Sequence, residues 1–308
     1  MESPENKARK PAVNDRSRRR RRRKILAALL AIFVILVGFG LWARWRPAKT
    51  FVPGLPATDE LRIVTWNVGY FPALPKKTAR LSDTDAIVAV LRQTNAHLIA
   101  LQELGSLEQI DEIARGLEGE WHTYCVPTGH RGQFLGALSR LAVSSTEQRE
   151  AGGKKMVGLS LQLAGGRSAF FLSLHAPHPV RGKGKTIDYI RTGVAWTRER
   201  PEDFRVMAGD LNWHFPPVSD DAAEDHDLYR EIRSFCADST AEIGPSFYAH
   251  TRIDHVFHAP ENLPVVASGC GIIDPPNRWA RAPGWRDHRP IVVTIKLPAG
   301  SLSGKMPK

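Results

Sequence analysis

Cysteine is scarce. The 308 residues hold three, Cys125, Cys236 and Cys270. None stands at the close spacing of a metal knuckle, which excludes a thiolate-held zinc fold. An oxidising compartment would permit one disulfide and leave one thiol free; otherwise the three read as ordinary buried thiols. Internal repeats are lacking too, which excludes a solenoid. Most of the chain also lacks net charge. The total is +11, which taken alone suggests a nucleic-acid binder. Residues 1–49 hold 14 Lys and Arg against 3 Asp and Glu, so they carry all of it, and the other 259 residues hold 29 of each sign. The basicity describes a tail and says nothing about what the main body binds.

The tail has a simple order. Residues 1–15 are polar. Arg16 to Lys24 is a nearly unbroken cationic run, and Ile25 to Ala43 is 19 residues without a charge. At about 1.5 Å per residue that run just spans a bilayer core of about 30 Å. Cations before it predict a cytoplasmic N-terminus, with Trp42 and Trp45 at the far interface. A cleaved signal has a shorter apolar core and a small-residue cleavage site, and LWARWRP offers none. A nucleic-acid or nuclear-targeting reading of the basic run fits less well against an apolar 19-mer. The expectation is therefore a single-pass membrane protein. It comprises a cytoplasmic basic tail (1–24), a transmembrane helix (25–43), a tether (44–60), an extracytoplasmic catalytic domain (61–297) and a loose C-terminal tail (298–308).

Strand-like and helix-like stretches alternate along the main domain. Leu61 to Gly69 is a β-branched run, Asp83 to Asn95 has helical spacing, HLIALQEL reads as a strand, and SLEQIDEIARGLE reads as a helix. GALSRLAVSS, MVGLSLQLA and SAFFLSLHA are expected strands, the last two joined as a hairpin through Ala164 to Arg167. A helix over Thr186 to Arg200 leads to the strand FRVMAGD. A weaker helix covers Asp227 to Cys236, and IDHVFHA and IVVTIKL close the domain. Mixed hairpins and helices predict an α+β layered domain.

Each apolar run ends in polar residues of a narrow kind: Asn67, then Gln102 and Glu103, then His175, then Asp210 and Asn212, then Asp254, then Asp287 and His288. Singly, each has an ordinary structural explanation. Asp210 and Asn212 could form an Asx turn, Glu103 could cap the next helix, His175 could be a satisfied core histidine, and Asp254 could pair with Arg252. Together they suit phosphate ester hydrolysis on loops over a rigid scaffold. Glu103 and Asp287 are hard oxygen ligands for Mg²⁺ or Mn²⁺. His175 and His288 can donate to phosphoryl oxygens, and so can the amides of Asn67 and Asn212. Asp210 is left to accept a proton from water, and Asp254 can orient a histidine.

WNVG, LQEL, SLHAP, GDLN, RIDHVF and RDHRP stand in the order of the motifs of the endonuclease/exonuclease/phosphatase family, of the deoxyribonuclease-I type. The chain resembles that family from about Leu61 to Leu297. The resemblance implies a four-layer α/β/β/α sandwich of two mainly antiparallel sheets. It also implies roles: Glu103 holding the divalent metal with Asp287 and Asn67, Asp210 as general base, Asn67 and Asn212 on the substrate phosphate, His175 on the scissile phosphate, and His288 paired with Asp254. Two positions depart from the pattern. Gly69 stands where many members carry a second Asn or Asp, and Ala96-His97 stands where members often have Pro-Asp.

The expected substrate is a phosphodiester, nucleic acid or lipid headgroup. Action as a lipid-headgroup phosphodiesterase or phosphomonoesterase is the alternative, and a non-catalytic membrane-bound binding protein is a third reading. No protein partner is expected. RGKGK (Arg181 to Lys185) and GGKK (Gly152 to Lys155) are the two stretches able to meet a polyanion locally.

Overall fold

The computed structural model describes residues 25, 48–69, 84–129, 132–215, 223–247, 251–273 and 288–302. The proposed span 25–43, apart from Ile25, lies outside the described residues, and so do Asp287 and residues 303–308. Among the described residues no helix is long and apolar enough to cross a membrane. One compact unit begins at Pro47.

Among the described residues twelve strands form two sheets of six. The first runs in the order β11 (Gly271–Ile272), β12 (Ile291–Lys296), β1 (Glu60–Asn67), β2 (Leu98–Leu104), β4 (Phe134–Ser139), β3 (His122–Pro127). The second runs β5 (Val143–Ala151), β6 (Lys154–Gln162), β7 (Ser168–His175), β8 (Phe204–Asp210), β10 (Asp254–Ala259), β9 (Ala237–Asp238). Pairing is antiparallel except at two central positions, β1 with β2 and β7 with β8. The helices are α1 (Thr84–Arg92), α2 (Leu107–Gly116), α3 (Lys183–Glu199) and α4 (Ala223–Arg233).

Three apolar clusters set the layers. One lies between the sheets and is fed from both, by Ile63, Ala100 and Val293 on one side and by Leu159, Phe171 and Val206 on the other. A second joins the outer face of the first sheet, at Val64, Trp66 and Ile99, to Ile87 and Leu91 of α1 and Ile110 and Ile113 of α2. A third joins Phe170, Leu172 and Met207 of the second sheet to Ile190 and Trp196 of α3 and Ile232 of α4. The result is an α/β sandwich with helices on the outer faces, which the alternating strand sequences support because successive side chains point to opposite faces.

Several expectations are corrected. GALSRLAVSS is not one strand. Ser139 Oγ donates to the Leu141 carbonyl at 2.8 Å and accepts from the Leu141 amide at 3.0 Å. That tight local turn ends β4 in one sheet, and the chain resumes as β5 in the other. β3, a half-exposed edge strand, carries too weak an alternation to be read from sequence. The tether is docked from residue 48 onward. The Lys49 amide donates to Ile243 O at 2.8 Å, the Phe51 amide donates to Ile272 O at 2.8 Å, and Phe51 is buried. Nor is the C-terminal segment loose as far as Leu302. The Ala164 amide donates to Ser301 O at 2.9 Å, Arg167 bonds Ser301, and Leu302 joins the inter-sheet core. The three cysteines are free thiols.

Candidate active site

Strand parity aims the site. In β1, Leu61 and Ile63 face the inter-sheet core, and Asn67 is in step with them. His175 is in step with Ala169 and Phe171, Asp210 with Val206 and Ala208, and Asp254 with Val256. Each strand therefore delivers its terminal polar side chain to the gap between the sheets. Register brings them level. His175 pairs with Asp210 across β7 and β8, and Asp254 pairs with Asp210 across β8 and β10.

Asp210 is the centre. It is 1% exposed. Asn67 Nδ2 donates to its Oδ2 at 3.0 Å. The Nε2 atoms of His175 and His288 each stand 3.7 Å from the same oxygen. His288 Nδ1 lies 2.9 Å from Asp254 Oδ2, which also accepts from Ser246 Oγ at 2.7 Å. The Asp254 carboxylate thus fixes the His288 ring with Nε2 turned to Asp210, the geometry by which a carboxylate selects a histidine tautomer. The His288 ring is also packed edge-on to Phe247, with centroids 5.1 Å apart.

Glu103 enters against parity, since Gln102 holds the inward position and is hydrogen-bonded to Thr65. Pairing of β2 with β4 is irregular between Leu101 and Leu104, and Glu103 has φ 57°. Such a left-handed residue in a bulge is strained and re-aims a side chain. Glu103 Oε1 comes to 3.6 Å from His175 Nε2. It does not cap α2; Ser106 does, accepting from the Gln109 amide at 3.2 Å.

The strand does not persist to Asn212. β8 stops at Asp210, and Asn212 has φ 48°. Its amide donates to Asp210 Oδ1 at 2.7 Å, an Asx turn, while its side chain donates to Ala176 O at 3.0 Å. Turn and site are one arrangement: the turn is what puts the Asn212 amide beside Asp210. Gly69, which stands where many members of the resembled family carry a second Asn or Asp, donates its backbone amide to Asn67 Oδ1 at 3.0 Å and so helps orient that side chain. Asp254 does not pair with Arg252, which bonds Asp238 instead.

Electrostatics mark the same place. Burial pushes the Glu103 carboxyl up to about 7, with Asp210 adding to the rise and His288 opposing it. Burial pushes Asp210 up to about 6, opposed by His288 and reinforced by Asp254. Burial lowers Lys154 to about 8, against the pull of Asp210 and Glu103. Lys154 Nζ donates to Ala176 O at 3.2 Å. A buried and a half-buried carboxylate held where neither ionises easily suit a divalent cation, and their hard oxygens favour Mg²⁺ or Mn²⁺ over softer metals. Among the described residues, Asp210, Asp254 and His288 offer ligand atoms within 4.8 Å of one another. Glu103 and Asn67 adjoin that group.

Residues not singled out as catalytic also shape the site. Tyr189 OH accepts from the His175 amide at 3.0 Å and donates to Lys155 O at 2.9 Å. Ser246 bonds both the amide and the carboxylate of Asp254. Neither carries a sequence signal, because both act through long-range contacts. Lys154 was visible only as part of GGKK.

The model of the endonuclease/exonuclease/phosphatase family matches residues 64–288. No curated protein matches by sequence. Solved structures that the chain resembles include an endonuclease/exonuclease/phosphatase from Beutenbergia cavernae DSM 12333, with TM-score 0.59 and 18% identity over 79% of this chain and 72% of that one. D. rerio TDP2 complexed with single strand DNA product gives TM-score 0.60 and 16% identity, covering 77% and 98%. An endonuclease/exonuclease/phosphatase family protein from Leptotrichia buccalis C-1013-b gives 0.54 and 16%, covering 77% and 100%. At these identities the likeness is one of fold.

Proposed function

Because the chain belongs to the endonuclease/exonuclease/phosphatase family, we propose that it is a divalent-metal-dependent phosphoesterase that cleaves a phosphodiester of nucleic acid, held at a membrane by residues 25–43. The observation that carries the chemistry is the convergence of Asn67, His175 and His288 on one oxygen of buried Asp210. Asp210 takes a proton from water as the water oxygen attacks phosphorus, and the bond to the leaving oxygen breaks. His175 and His288 donate hydrogen bonds to the phosphoryl oxygens as their charge rises. Asp254 keeps His288 in the donating orientation. Asn212, on its turn, offers its amide to the phosphate. Glu103, with Asn67 and Asp287, would hold the cation, which when bound neutralises phosphoryl charge.

The nucleic-acid reading is supported by the solved structure of TDP2 with a single-strand DNA product. A lipid-headgroup substrate is the second reading, favoured by the basic run and apolar 19-mer that would hold the domain near a bilayer. Hydrolysis of a single-stranded oligonucleotide, plasmid DNA, RNA, sphingomyelin and a bis-aryl phosphodiester, each with Mg²⁺, Mn²⁺ or chelator, separates them. Metal-dependent cleavage of nucleic acid is the expected result; cleavage of lipid alone would move the enzyme to the second reading. A reporter fused after Lys308 tests the topology and should read as extracytoplasmic. A cytoplasmic signal would reject it.

A further inference from the structure

The stretch after His175 holds cations without acids. From Ala176 to Ile187 there are Arg181, Lys183 and Lys185 and no Asp or Glu, and all three cations are exposed. The loop is firmly built. His178 Nδ1 accepts from the Val180 amide at 3.2 Å, and Thr186 Oγ1 donates to Pro177 O at 2.8 Å. The β5–β6 turn backs directly on it: a Cβ at Gly152 would stand 2.4 Å from the Lys185 carbonyl oxygen. The nearby acid Asp188 accepts from the Gly152 amide at 3.2 Å.

Three contacts join this loop to the scissile-phosphate site. Lys183 Nζ lies over the Trp213 ring, 5.3 Å from its centroid, and Trp213 follows Asn212 directly. Lys154 Nζ and Asn212 Nδ2 both donate to the Ala176 carbonyl, at 3.2 and 3.0 Å. The buried Lys154 ammonium and the phosphate-binding amide therefore flank one oxygen at the foot of the loop. Donors run from the neutral Asn212 amide through the Lys154 ammonium at the foot of the loop, and Lys154 feels the repulsion of Arg181 as well as the pull of Asp210 and Glu103. Lys183 and Lys185 also sit in the first turn of α3, the end of a helix that disfavours cations; an anion between them offsets that cost.

We infer that Arg181, Lys183 and Lys185 form a second phosphate subsite that takes the phosphate next to the scissile one, so that the substrate is a chain of phosphodiesters, a single-stranded nucleic acid. The inference rests on the hydrolase reading above and deepens it. Phosphate contacts of this kind position a strand without reading its sequence. A bilayer surface would meet exposed cations alone, whereas this strip ends on a buried lysine that shares the Ala176 carbonyl with Asn212.

The test uses the full-length protein and two probes: a thymidine decamer, and the dinucleoside monophosphate that has only the scissile phosphate. Decamer binding is read by fluorescence anisotropy in chelator, where no cleavage is needed. The variant is Arg181→Ser/Lys183→Ser/Lys185→Ser, beside the charge-conserving Arg181→Lys/Lys183→Arg/Lys185→Arg. The serine variant should bind the decamer at least tenfold more weakly, with a salt slope shallower by about two. Its ratio of kcat/KM for decamer over dinucleoside should fall at least tenfold. The charge-conserving variant should bind within threefold of wild type. Unchanged decamer binding in the serine variant, equal loss in both variants, or loss of binding to anionic phosphatidylglycerol vesicles alone would overturn the subsite. Charge-dependent binding without turnover of any probe would sustain the subsite and reject the hydrolase reading.

Discussion

Ionised carboxylates are costly to desolvate; Asp210 is buried, Glu103 is half-buried, and they stand 3.7 and 3.6 Å from the same His175 Nε2. An acid whose folded-state pKa is raised favours the fold fully below its unfolded value and loses that contribution as pH rises through the folded one. For Glu103 the window runs from 4.5 to about 7, and for Asp210 from 3.8 to about 6. Protein in chelator should therefore lose thermal stability as pH rises from about 4 to about 7, and added Mg²⁺ should restore Tm at pH 7 but not at pH 4.5, where protons compete for the ligands. A Tm that is flat across that range with and without Mg²⁺ would contradict the assignment of both carboxylates. Asp254→Asn keeps the shape but can turn a donor toward His288 Nδ1, so turnover should fall by about a hundredfold or more while Tm stays within a few degrees. Turnover near wild type would remove His288 from the chemistry. Asn67, His175, Asp210 and Asp254 were legible in the sequence because each continues the inward parity of its own strand. Glu103 and Asn212 were legible by residue type, as a hard oxygen ligand and an amide donor at strand ends, but the left-handed backbone that aims each of them was not.

Between elements, the site depends on how closely β7 approaches β8. A Cβ on Gly209 would stand 2.0 Å from the Leu174 carbonyl oxygen, one register step before the His175–Asp210 pair. Gly209→Ala must spread the two central strands. Urea unfolding should show a loss of about 3 kcal/mol, as for an overpacked core, and His175 and Asp210 should separate with a matching fall in turnover. Unchanged stability would mean that the strands are not packed as described. Most strands and helices could be read from apolar periodicity, including the hairpin at Ala164 to Arg167. The break between β4 and β5 could not, because one serine hydroxyl bonding Leu141 moves the chain between sheets inside a run that reads as continuous.

At the scale of the whole molecule, residues 48–51 belong to the body. Thr50 bridges Ile272, and Phe51 packs with the outer cluster of the first sheet. Phe51→Ala should cost about 3 kcal/mol in urea unfolding, as for a buried aromatic; a neutral result would return the segment to being a free tether. Composition alone could not reveal this docking, since Pro-rich, small-residue stretches read as linkers until a partner is seen. The charge distribution was legible at this scale: the net charge sits in the tail, and the neutral body carries local cations of its own at Arg181 to Lys185. In the proposed mechanism Asp210 activates water for metal-dependent cleavage of a phosphodiester. The most direct measurement compares cleavage of a labelled single-stranded oligonucleotide by the full-length protein and by Asp210→Asn, with Mg²⁺ or Mn²⁺ and with chelator. The account predicts metal-dependent cleavage by the wild type, loss of about a thousandfold or more in the variant, and a variant Tm at or above wild type because a buried charge is removed. Cleavage by Asp210→Asn at the wild-type rate would contradict it.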